Sequence, residues 1–320
     1  MRKLLLSFII LTTPLIGLAQ YNWEIGGHGG AANYLGELGG KGSTRRDFVA
    51  DMKVKKTEFT GGGFVRYKFS SLFSAQVTYS IVQIDGEDAA STNPGRVGRN
   101  LSFRDNIQEL SFTAQIYFLD IPDLGHTYRY KNNFKMYAFG GVAPFYYNPK
   151  TYYDGTWVAL RPLQTEGVNY GKFNVAIPAG VGFLFTISKQ HRIGWEFNWR
   201  TTFTDYLDDV SGNYVDPKTQ SALAAALANR RGELGHPDGI PGVLPADVNY
   251  GYHSDTDGSP SDASHTGGSK RGDPAHKDSY LTTSVYYSYV LRGKSTLYKS
   301  KYGSVFNKGN KKRKKIHAHF

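Results

Sequence analysis

Between Arg192 and Thr204 the chain alternates almost without a break. Ile193, Trp195, Phe197, Trp199 and Phe203 fall on one face, and Arg192, Gly194, Glu196, Asn198, Arg200 and Thr202 on the other. Side chains of an extended strand point to opposite faces with period two, so the segment reads as a strand with one oily and one charged face. In a soluble sandwich the aromatic face would be the core. In a membrane barrel it faces lipid, and the polar groups line the lumen. Periodicity alone leaves both open. The last strand repeats the pattern, with Leu281, Thr283, Val285, Tyr287, Tyr289 and Leu291 opposite Thr282, Ser284, Tyr286, Ser288 and Val290.

Six further segments of this kind lie at Tyr21 to Ala32, Phe59 to Phe69, Ser74 to Ile84, Glu109 to Leu119, Phe134 to Tyr147 and Phe173 to Ile187, which makes eight strands. Each can supply the roughly 9 to 11 tilted residues that cross a bilayer. The connections decide between the two architectures. Those after the second and sixth strands are tiny, Ser70 to Phe73 and Ser188 to His191, and the one after the fourth, Asp120 to Asn133, is moderate. Those after the first, third, fifth and seventh are long. Short turns on one side and long loops on the other belong to outer-membrane barrels, and an even strand count puts both termini in the periplasm. The expected fold is therefore all-β, an eight-stranded antiparallel transmembrane barrel over residues 20–292. The whole chain's 23 Tyr, 19 Phe and 37 Gly suit many strands joined by turns. Pro178 predicts a bulge or a shortened sixth strand, and Pro144 irregular pairing in the fifth, whose facing is ambiguous at Gly140 and Gly141.

The first residues, Arg2 and Lys3 followed by apolar Leu4 to Ile16 and the small-residue site Gly17-Leu18-Ala19, read as a secretory signal over residues 1–19. With no cysteine, disulfides, thiolate metal sites and cysteine nucleophiles are excluded. The net charge of +11 is misleading: ten basic and no acidic residues lie between Arg292 and Phe320. Setting these and the two signal cations aside leaves residues 20–291 at about −1. The polycation is a tail, 293–320, and no nucleic-acid surface is implied for the body. Lys311, Lys312, Arg313, Lys314 and Lys315 form its densest run, suited to docking a periplasmic partner.

An eight-stranded barrel is just wide enough for its inward side chains to fill it. The register places Glu24, His28, Arg66, Glu109, Glu196 and Arg200 inside. Both signs are present, and charges removed from water must pair, so a structural lumen network is expected in preference to catalytic carboxylates.

The loop from about Leu207 to Asp278 is the longest irregular region, with a helix predicted over Lys218 to Leu234 and a mobile half around Asp255 to Asp262. Asp255-Thr256-Asp257-Gly258 lacks the spacing and terminal Glu of an EF-hand, and Asp208-Asp209 reads as a turn-forming pair in preference to a cation site. No hydrolase elbow, zinc helix or phosphate loop occurs, so no catalytic residue, metal or cofactor is expected.

Several motifs resemble the PorG-like outer-membrane barrels of Bacteroidota. They are Asn33-Tyr34-Leu35-Gly36-Glu37-Leu38, Arg99-Asn100-Leu101-Ser102-Phe103, Phe139-Gly140-Gly141-Val142, Thr165-Glu166-Gly167, Ile177-Pro178-x-Gly180-x-Gly182 and Thr204-Asp205-x-Leu207-Asp208-Asp209-Val210-Ser211-Gly212. Further matches are Tyr147-Asn148-Pro149, Gly155-Thr156-Trp157, Leu160-Arg161-Pro162-Leu163 and the basic run Lys311 to Lys315. The resemblance implies a non-enzymatic component of the type IX secretion system. Such a barrel ties a periplasmic ring of PorK-type and PorN-type subunits to the outer membrane. The alternative is a generic small barrel whose external loops bind a ligand or surface partner.

Overall fold

The computed structural model describes residues 22–39, 52, 54–91, 94–121, 133–187, 190–230, 233 and 270–291. Among the described residues ten strands run in chain order: β1 Trp23–Leu35, β2 Glu58–Lys68, β3 Phe73–Glu87, β4 Ser102–Ile121, β5 Asn133–Tyr146, β6 Lys150–Tyr153, β7 Thr156–Ala159, β8 Phe173–Thr186, β9 His191–Thr202 and β10 Ser279–Val290. Eight of them close a ring. β1 pairs β2 and β10, β3 pairs β4, and the circuit runs on through β5, β8 and β9, every pair antiparallel. Closure satisfies each strand on both sides and leaves no edge, the condition for β-structure to span lipid. β6 and β7 form a hairpin outside the ring, hung on β4 where Arg104 meets Lys150.

Outward residues make an apolar belt. Ile25, Val65, Val77, Ile81, Leu110, Phe112, Ile116, Val142, Val181, Ile193 and Val285 all stand exposed. Rings gather at the short-turn rim, with Trp23 4.8 Å from Tyr67, Phe134 4.9 Å from Phe185 and His191 5.3 Å from Tyr289. Tyr146 and Phe173, 5.4 Å apart, stand at the opposite rim. An apolar band between two aromatic girdles on a closed eight-stranded wall is that of an outer-membrane barrel. Asn22 and Leu291, the described ends, lie with the short turns, where Leu291 donates to the Trp23 carbonyl at 2.8 Å.

Pro178 departs from expectation, with neither a bulge nor a shortened strand, whereas the pairing of β5 with β4 is interrupted at Pro144 as expected. Around Pro178 the pairing goes from Gly140 with Ala179 to Ala143 with Ala176, and around Pro144 from Glu109 with Phe145 to Phe112 with Val142. Each proline leaves a gap in the ladder, where it has no N–H to give, but the register is kept and neither strand is shortened. The register shift is at Phe118, between the pairs Tyr117 with Tyr137 and Leu119 with Met136. The fifth strand faces inward with its odd-numbered residues, Lys135, Tyr137, Phe139, Ala143 and Phe145, all buried. β4 runs several residues further outward than its apolar alternation suggests. The helix predicted over Lys218 to Leu234 shrinks to a 3-10 turn at Pro217–Thr219 and an α-helix at Ala222–Ala228, capped by Ser221 accepting from the Ala224 N–H.

The barrel's largest apolar core sits at its outer end. Val82, Ile84, Phe103, Ile107, Phe145 and Tyr280 from the wall pack with Leu207, Val210 and Leu227 of the last loop. The described part of that loop thus folds over the mouth as a cap.

Candidate functional site

The interior is built in layers. Nearest the periplasm, Arg66 on β2 donates from Nη1 to Glu24 Oε1 on β1 at 2.9 Å, from Nε to Gln76 Oε1 at 2.8 Å and from Nη2 to Glu196 Oε1 at 3.3 Å. Arg192 and Ser288 also donate to Glu24, so one carboxylate meets two guanidinium groups. Tyr137 OH lies 2.5 Å from Glu196 Oε1 and 3.0 Å from Tyr286 OH. The Arg66 guanidinium is enclosed by the rings of Phe64, Tyr137 and Tyr286 at 5.1 to 5.4 Å. Glycine makes room for these rings, since a Cβ on Gly194 would sit 2.2 Å from the Tyr286 ring.

Further out, Arg200 on β9 grips Glu109 on β4 with both ends of its fork, Nε to Oε2 at 2.6 Å and Nη2 to Oε1 at 3.0 Å. Arg200 Nη1 donates to Thr282 at 2.6 Å, and Tyr280 OH donates to Glu109 Oε2 at 2.6 Å. Between the two layers lies a polar cavity of ≈ 20 Å³, lined among others by His28, Thr113, Gln115 and Asn198. That is room for about one water, not a passage. His28 is hydrogen-bonded to neither ion-pair layer; its Nε2 is 3.1 Å from Ser80 Oγ.

The cap holds a third set of buried charges. Arg99 binds Asp88 through Nε and Nη2 at 2.7 and 2.8 Å, and its Nη1 donates to the Arg271 carbonyl at 2.6 Å. Arg271 in turn donates to Glu166 Oε1 at 2.9 Å, to the Ala228 carbonyl at 3.1 Å and to the Asp209 carbonyl. Tyr170 OH and Thr165 close on the Asp209 carboxylate, the former at 2.6 Å. Tyr34 OH bridges Asp208 Oδ2 at 2.7 Å and Asp278 Oδ1 at 2.6 Å. A phenol has one proton to donate, so one of these two carboxyl groups must carry a proton and donate to Tyr34. Burial and the neighbouring carboxylates push both acids well above the usual range. Burial likewise lifts Asp209 to about 6, against the pull of Arg271, and Asp205 to about 7.

Five of the residues read as lumen charges, Glu24, Arg66, Glu109, Glu196 and Arg200, are thus joined in two ion-pair layers, and His28 stands between them. Sequence reasoning did not single out Arg192, Tyr137, Tyr280 or Tyr286, although Arg192, Tyr280 and Tyr286 lie on the polar faces of their strands. It missed the cap altogether, reading Asp208-Asp209 as a turn. Its signal was present: Tyr34, Arg99, Glu166 and Asp208 belong to separate motifs that the fold brings together. The signal segment, the Asp255 to Asp262 stretch and the Lys311 to Lys315 run lie outside the described residues. Among the described residues no group of His, Asp and Glu side chains is arranged to hold a metal ion.

The family described as a domain of unknown function, DUF6089, matches residues 2–224. The chain belongs to that family. The matched span of DUF6089 includes β1 to β9 and most of the cap, while Arg271, Asp278 and β10 follow it. No curated relative matches the chain. Among solved structures it is similar to the N-terminal β-barrel domain of OprF from Pseudomonas aeruginosa, at 8% identity and TM-score 0.33 over 85% of this chain and 98% of that one. Ail, the attachment invasion locus protein of Yersinia pestis, is matched at 8% identity and TM-score 0.30, over 84% of this chain and 98% of that one. The outer membrane protein OprG from Pseudomonas aeruginosa is matched at 8% identity and TM-score 0.32, over 86% and 98%. Values this low carry no function across.

Proposed function

We propose that this DUF6089 protein is a sealed, non-enzymatic barrel that anchors an assembly to the outer membrane and works through its two ends. The observation that carries this reading is the interior, where two ion-pair layers leave a cavity of ≈ 20 Å³ between them. A solute cannot pass such a lumen, so transport is not its task. The resemblance to PorG-like barrels supports a specific assembly, the type IX secretion system, with PorK-type and PorN-type ring subunits docking on the basic tail at Lys311, Lys312, Arg313, Lys314 and Lys315. Affinity purification of the detergent-solubilised protein, with and without residues 298–320, tests it. Ring subunits should accompany the full chain and be lost with the tail, together with secretion of large cargo.

A second reading is favoured by the cap. Its core and buried charges fix the outer loops into a defined surface, as a binding platform for an external ligand or surface partner requires. Normal secretion after deletion of the gene would select this reading over the first. Steady single-channel conductance of the purified barrel in a planar bilayer would count against both.

A further inference from the structure

On the outside of the wall, the upper ends of β3, β4 and β5 and the β6–β7 hairpin enclose a groove of ≈ 430 Å³. Arg104, Asn106, Gln108, Tyr146, Lys150 and Trp157 line it. Its height on the barrel is set by β4. Along one outward face, Ile116, Phe112 and Leu110 stand exposed to lipid, and the series then turns polar at Gln108, Asn106 and Arg104. The groove therefore opens where acyl chains give way to headgroups.

The charge arrangement is unusual. Arg104 and Lys150 are directly paired across the bridge between β4 and β6. Like charges in that relation repel, and Asp85 and Glu58 offset the charge of Arg104. Arg104 commits Nε to Asp85 and Nη2 to Asp85 and Glu58, at 3.2 to 3.3 Å. The Lys150 ammonium is exposed, and the acid that acts on it electrostatically is the buried Asp105, which also lines the groove. The guanidinium lies 5.1 Å from the Trp157 ring centroid, and the Lys172 ammonium is 6.0 Å from the Tyr146 ring centroid beside it.

We propose that this groove binds the phosphorylated sugar headgroup of an outer-leaflet glycolipid of the lipid A type. Arg104 Nη1 and Lys150 supply charge-assisted donors for phosphate. The amides of Asn106 and Gln108 suit sugar hydroxyls, and Trp157 and Tyr146, each with a cation over one ring face, hold Arg104 and Lys172 beside the groove. A lipid, not a soluble anion, fits because Leu110, Ile81 and Val142 directly below are exposed for acyl chains.

Native mass spectrometry of the full chain in phosphatidylcholine nanodiscs, titrated with lipid A, dephosphorylated lipid A or inorganic phosphate, tests this. The wild type should retain lipid A in preference to the dephosphorylated form, with inorganic phosphate failing to displace it. Lys150→Gln should weaken retention about fivefold, the effect of one interfacial cation, and Lys150→Glu should weaken it more. Both changes lie on an exposed hairpin residue, and heat-modifiable migration verifies that the barrel is intact. Equal retention of the dephosphorylated lipid, or retention unchanged in both variants, would overturn the proposal. Displacement by inorganic phosphate would assign the groove to a soluble anion and overturn the lipid assignment.

Discussion

Arg200 and Glu109 meet as a two-pronged pair across the lumen, from strands that are not neighbours in the wall. Both are buried, so neither charge can turn to water if its partner is lost. Glu109→Ala should therefore destabilise the barrel by about 3 to 5 kcal/mol, whereas replacing both residues by apolar ones of similar volume should recover most of that. Urea unfolding of the refolded protein in detergent, read by tryptophan fluorescence, measures the coupling. A double-variant loss equal to the sum of the two single losses would mean the pair is not coupled.

The inner layer should be unequal. Glu24 meets Arg66, Arg192 and Ser288 and is almost wholly buried, whereas Glu196 is 15% exposed. Glu24→Gln should cost about 2 to 3 kcal/mol, and Glu196→Gln distinctly less, because water reaches the latter site. The same unfolding titration ranks them.

Cap stability should depend on pH. An unfolded Asp titrates near ~4, whereas burial holds Asp209 up at about 6, Asp205 at about 7, and Asp208 and Asp278 well above their ordinary range. The folded cap thus binds more protons than the unfolded chain above pH ~4, and its stability falls as pH rises through the folded values. Hydrogen exchange of residues 204–212, corrected for intrinsic rate, should show more protection at pH 5 than at pH 8. Asp208→Asn gives Tyr34 a permanent donor in place of the trapped proton and should flatten part of that dependence. No difference between the two pH values would remove the proton from the Tyr34 bridge.

Trp195 stands on the lipid face of β9, its ring 5.5 Å from that of Phe183. Trp195→Arg should destabilise by about 2 to 4 kcal/mol near the bilayer midplane. The penalty should be measured in vesicles, since a detergent belt tolerates the charge better.

What the sequence showed was what repeats. Alternation from Ile193 to Phe203 reports facing directly, because period two is a property of every extended strand, and turn lengths report sidedness. The two ion-pair layers followed from that facing, since Glu109 and Arg200 had to be inside and of opposite sign. The cap has no period. Tyr34 meets Asp278 from 244 positions away, and buried Arg271 sits in a stretch rich in Gly, Ser and Asp that reads as irregular. Pro178 misled because a ladder gap can be absorbed between two intact neighbours without a change of register. The β6–β7 hairpin was hidden by its length, four residues a side.

The pairing of β1 with β10 also governs the order of events during biogenesis. The first strand to emerge finds its second neighbour only when the last is available, so a loop of most of the chain must close before the wall is complete. Until then β1 offers an open row of backbone donors and acceptors to any strand nearby, and the Tyr34 bridge has no Asp278 to join. A chain stopped before Ser279 would be left with a permanently open seam, and thus be a substrate for periplasmic holding and degradation instead of insertion.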